Sequence, residues 1–109
     1  MNEKSPPAAW PAGLAGMVDY QAGSIVSRTL LDGKNGSITL FAFDAGQGLS
    51  EHTAPFDAFV EVLDGAAEVT VSGRGMTVKA GEAVVMPAGE PHSVRAPRRF
   101  KMLLVMVKS

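Results

Sequence analysis

Hydrophobic positions along this chain recur with a period of two or fill both faces of short runs. No stretch keeps the three-to-four-residue spacing of an amphipathic helix. Residues 66–72 alternate cleanly, with Glu68 and Thr70 facing away from Val69 and Val71. Residues 37–43 (SITLFAF) and 100–108 are apolar on both faces, the pattern of strands covered on two sides. Further strand-like segments fall at 24–31, 49–53, 56–63, 76–79, 83–86 and 92–96. Between them lie glycine-, proline- and aspartate-rich turns, including Asp32-Gly33-Lys34-Asn35-Gly36, Asp64-Gly65 and Ser72-Gly73-Arg74-Gly75. Turn signals at intervals of about eight to twelve residues, without helical periodicity, predict an all-β antiparallel sandwich or barrel with no substantial helix.

Residues 1–16 break this rhythm. They are rich in Pro, Ala and Gly, with Trp10 as the one large side chain, and proline disfavours helix here. We read 1–16 as an arm, flexible or docked through Trp10, and 17–109 as a single domain. If Met102, Leu104 and Met106 point inward, then Leu103, Val105 and Val107, together with Phe59 and Leu63, form an outward apolar patch. Patches of that kind mark interfaces, so a homodimer is expected.

Composition changes this picture mainly by exclusion. At 109 residues and 46% hydrophobic, the chain suits one domain with one core. A net charge of -1 gives no basic field, so nucleic acid and anionic membrane are not expected partners. No run approaches the roughly 18–20 apolar residues of a membrane span. Pro6, Pro7 and Pro11 interrupt any apolar signal core after Lys4, which places the protein in the cytoplasm by expectation. With no cysteine, disulfides, thiolate metal sites and Cys nucleophiles are ruled out.

The candidate chemistry sits in residues 81–96, GEAVVMPAGEPHSVRA. A bend bearing Pro87, Gly89 and Pro91 precedes a strand in which His92 shares a face with Val94 and Ala96, so an imidazole points inward among apolar residues. The other histidine is His52. Ser93 is adjacent to His92 in sequence and faces away from it by alternation, no nucleophile elbow is present, and no carboxylate pair shares an interior site. Hydrolysis by a triad or a dyad is therefore disfavoured. Arg95, Arg98, Arg99 and Lys101 read as a solvated basic loop or as an anion contact.

Two spaced motifs resemble those of the small single-domain cupins, the cupin 2 conserved barrel family. Gly46, His52 and Gly65 fall at the spacings of the first motif, with Ala54 and Ala58 where its second histidine and its glutamate stand. Gly81, Pro87, Gly89 and His92 match the second motif, with Ala96 in place of its asparagine. The resemblance implies a jelly-roll β-barrel. It also implies a site for a divalent transition metal (Fe, Mn, Zn or Ni), of whose ligands only His52 and His92 remain, with Asp57, one position away from Ala58, as a candidate third ligand. Three readings follow. In the first, a small organic ligand occupies an apolar barrel cavity with His52 and His92 as polar anchors and Met86, Met102 and Met106 as wall. The second is a metal-dependent oxygenase or isomerase using His52, His92 and Asp57 or water. The third is a structural or regulatory dimer with a filled cavity.

Overall fold

The structure, a computed structural model, describes residues 11–108; Trp10 and the arm preceding it lie outside the described residues. Nine strands follow a short 3-10 turn at Leu14–Met17: β1 (Ile25–Gly33), β2 (Gly36–Phe43), β3 (Gly48–His52), β4 (Asp57–Asp64), β5 (Ala66–Val71), β6 (Arg74–Lys79), β7 (Ala83–Met86), β8 (His92–Arg95) and β9 (Phe100–Val107). They form two antiparallel sheets, ordered β1-β2-β9-β4-β7 and β3-β8-β5-β6. This is a jelly roll of two facing sheets, and hydrogen bonding does not close it into a continuous barrel.

Local turn chemistry explains much of this order. Ser72 and Gly73 both take positive φ, 49° and 78°, which gives the twisted two-residue turn that joins β5 to β6. The β1–β2 hairpin is also closed by two residues, Lys34 and Asn35, and here no residue of the Asp32–Gly36 turn uses the left-handed region. An irregularity at Leu30 shifts the register between Thr29 and Leu31 instead. At the other end of the pair, Gly23 donates its N–H to Asp44 at 2.7 Å, and that bond is the main reason the Asp44 carboxyl is held below the usual carboxylate range.

Strand β9 lies at the centre of its sheet, between β2 and β4, which accounts for its apolar residues on both faces. Inward, Met102 joins Phe43, Phe100, Val60, Val62, Val69 and Val94 in the core between the sheets, with Leu104 and Met106 packed against it. The Phe43 and Phe100 rings stack at 4.5 Å there. Outward, Leu103 belongs to a second cluster with Leu40 and Ala42, covered by Met17, Val18, Leu14 and Tyr20. Arg28 and Lys101 tie this cover down by donating to the carbonyl oxygens of Met17 and Ala15, at 2.8 and 2.6 Å.

This second cluster changes the expected apolar patch. Leu63 and Leu103 are covered by the chain's own residues 14–20. What stays outward is one register row crossing all five strands, Leu31–Ile38–Val105–Phe59–Val85. Leu31 and Val85 are 65% and 58% exposed, and Val107 lies just beyond the row. No helix among the described residues is long and apolar enough to cross a membrane.

Candidate functional site: a histidine pair at the mouth of the sandwich

The bend before β8 is held from three directions. Asp57 accepts the Ala88 N–H at 2.8 Å, the Gly89 N–H donates to the Ala54 carbonyl at 2.8 Å, and Gly89 itself needs φ +80°. The strand that emerges puts His92 and Val94 on the inner face, with His92 only 6% exposed.

His52 reaches the same place through a bulge. Leu49 pairs with Val94 and His52 with His92, so two residues of β3, Ser50 and Glu51, oppose the single Ser93. Strict alternation would put Leu49 and His52 on opposite faces. The extra residue lets both face inward, His52 at the exposed rim and His92 beneath it.

The two rings meet edge to face, 4.4 Å between centroids, with Nε2 of one 3.1 Å from Nε2 of the other. Nδ1 of His52 lies 2.8 Å from the Ser50 carbonyl oxygen, and Nδ1 of His92 lies 3.2 Å from that of Glu90. A carbonyl oxygen only accepts, so each Nδ1 is the donor and carries a proton. In the neutral rings both Nε2 atoms then present lone pairs towards each other. Contact at this distance requires a proton or a cation shared by the two nitrogens, since 3.1 Å leaves no room for a guest atom on the line between them. The carbonyls of Ser50 and Glu90 are functional groups that sequence reading misses, because backbone acceptors leave no trace in residue identity.

The other expected site residues are placed unevenly. Ala58 faces inward where the resemblance implies a glutamate, and it pairs with Met86 on one side and Met106 on the other. These three form an apolar row at the same end of the molecule as the histidines. Met102 lies four residues deeper on β9, paired with Phe41 and Val62 inside the packed core, and is not part of that row. Asp57 is exposed on the outward face of β4, and its carboxylate serves the Ala88 N–H, so it is not brought to the histidines. Glu90 turns its side chain to the Ser72 hydroxyl at 2.8 Å.

The donor set therefore does not fit a metal held by protein ligands alone. Two imidazoles remain, and no group of three His, Cys, Asp or Glu side chains able to hold a metal ion forms among the described residues. Catalytic zinc takes three protein ligands and the non-haem iron triad two histidines and a carboxylate, so two positions fall short.

Comparison with known proteins agrees with the motif spacings. Residues 39–108 match the family model of the cupin domain. Among solved structures, the chain is similar to a conserved Streptococcus pyogenes protein of unknown function, at 38% identity over 96% of this chain and 92% of that one, with a TM-score of 0.90. It is similar to a cupin 2 conserved barrel domain protein from Leptotrichia buccalis, at 46% identity and a TM-score of 0.84 over 87% of this chain, spanning 46% of that protein's length. A cupin superfamily protein from Desulfitobacterium hafniense superposes over 100% of both chains with a TM-score of 0.90 at 25% identity. No curated protein matches. With its two motifs, its facing sheets and a family match over most of its length, the chain belongs to the cupin family.

Proposed function

We propose that this protein binds a small organic ligand at the mouth of the sheet sandwich, with His52 and His92 as a paired anchor. Met86, Ala58 and Met106 supply an apolar wall beside it. One observation carries this reading: the two Nε2 atoms lie 3.1 Å apart while both Nδ1 atoms are engaged by carbonyls, so two acceptors face one small space. A ligand hydroxyl or enol seated beside the pair donates its proton to the Nε2 of one ring. The replacement of two family ligand positions by the methyl groups of Ala54 and Ala58 supports binding over metal chemistry. The uncovered row Leu31–Ile38–Val105–Phe59–Val85 supports a homodimer formed through that sheet face.

A thermal-shift screen of small apolar alcohols, phenols and enols tests the reading, since a ligand of the folded state alone raises the melting temperature. Ligands that stabilise the native protein are expected to lose their shift in His52→Ala and in His92→Gln. Hits whose shifts survive both substitutions would contradict the site. Retention of a full equivalent of Fe²⁺, Mn²⁺, Zn²⁺ or Ni²⁺ through purification would favour the metal-dependent reading instead.

A further inference from the structure

We infer that a second cleft, at the opposite end of β8 from the histidines, binds a small organic anion: a carboxylate on an apolar body, with Arg98 as its charged anchor. The cleft encloses about 490 Å³ between the turn at Asp64–Ala67, the outward side chains of Glu68 and Thr77, and the loop Pro97–Arg99. That is within the size range of small-molecule sites. The length of β8 from His92 to Arg95, three residue steps or roughly 10 Å of strand, separates it from His92.

Its shape depends on a close backbone approach. Gly65 has φ +73°, and a β-carbon there would meet the Arg99 carbonyl oxygen at 2.6 Å. Only glycine lets the β4–β5 turn sit against the 97–99 loop and form one wall. Gly65, Ala66, Ala67 and Pro97 make that wall apolar.

The charges lining the cleft do not cancel uniformly. The Asp64 carboxylate accepts from the Tyr20 hydroxyl at 2.5 Å, and Glu68 pairs with Arg95 at 3.2 Å. Arg99 lies 3.5 Å from Asp44 and 4.6 Å over the Tyr20 ring. Arg98 alone among the ionisable lining residues has no partner among the described residues, and its guanidinium remains available at the rim. A planar fork with two parallel donors suits a carboxylate, and the apolar wall beside it suits the remainder of the molecule.

Benzoate titrated into ¹⁵N-labelled protein tests this site, with benzyl alcohol as a neutral probe of similar shape. Saturable amide shifts are expected at Ala66, Ala67, Arg98 and Arg99, with a Kd on the order of 1 mM. Affinity falls about tenfold in Arg98→Gln and less in Arg98→Lys, which keeps the charge and loses the fork. Shifts confined to the surroundings of His52 and His92, equal binding by Arg98→Gln or by benzyl alcohol, or no saturation by about 20 mM overturns the inference.

Discussion

The chemistry of the histidine pair is set by atoms that belong to neither ring. The carbonyl oxygens of Ser50 and Glu90 take the Nδ1 protons and so leave both Nε2 atoms as acceptors facing each other. Two other residues have equally sharp local consequences. Gly65 combines a left-handed backbone with a contact that admits no β-carbon. Gly65→Ala is expected to lower stability by about 2–4 kcal/mol in urea denaturation, and a loss below about 0.5 kcal/mol would show that the turn relaxes freely. Tyr20 is the only tyrosine. Burial, then its hydrogen bond to Asp64 and the charge of that carboxylate, push its phenol well above the ordinary value of 10.0. A raised pKa means that the fold favours the neutral phenol. Its contribution is whole below pH 10 and is lost as the pH climbs towards the folded value. Alkaline titration of the folded protein should show little tyrosinate absorbance at pH 10.5, whereas the urea-unfolded chain is mostly ionised there. Coincident titration curves would contradict the burial and hydrogen bonding described for Tyr20.

At the scale of elements, the strands were readable because their burial pattern matches their sequence pattern. Segments apolar on both faces became β2 and β9, interior strands of the larger sheet, and the Ser72-Gly73 turn formed where its residue types predict. The bulge in β3 was not readable. A period of two carries no mark of where one extra residue is inserted, so alternation along Leu49–His52 sends His52 the wrong way relative to Leu49. Motif spacing found His52 where strand periodicity could not. Deleting Glu51 tests the bulge directly. With one residue fewer, Ser50 alone opposes Ser93, and Leu49 and His52 stand two apart, so regular alternation keeps both on the inward face. The deletion is expected to retain a cooperative fold and the thermal shift of ligands anchored on the pair. A deletion that folds and loses those shifts would mean that the site needs the bulged backbone itself and not only the inward direction of His52. Asp57 failed as a candidate for the opposite reason. Alternation correctly turns it outward beside an inward Ala58, and the 87–90 bend then claims its carboxylate.

On the scale of the whole molecule, the outer face of the five-stranded sheet is divided in two. Residues 14–20 cover the half containing Leu40, Leu63 and Leu103, and the row from Leu31 to Val85 is left open. The sequence pattern marked this face as apolar without revealing which part the chain covers itself. That depends on where a Pro- and Gly-rich segment packs, and such a segment carries no periodicity. Light scattering is expected to give twice the chain mass for the native protein. Phe59→Lys combined with Val85→Lys should give the single-chain mass without loss of fold, because both side chains are exposed and the substitutions would place charges within the paired faces. A native monomer, or a dimer that survives both lysines, would remove this face as the contact.

The two ends of the molecule thus offer different chemistry, paired acceptors at one and a free guanidinium at the other, and the pair is the more decisive feature. Long-range ¹H–¹⁵N correlation of the two imidazoles reads it most directly. The spectra are predicted to show Nδ1 protonated in both rings, with both Nε2 signals moving together when a hit from the thermal-shift screen is added. A ring carrying its proton on Nε2 with Nδ1 bare, or Nε2 signals that stay fixed as that ligand saturates, would contradict His52 and His92 as a common anchor.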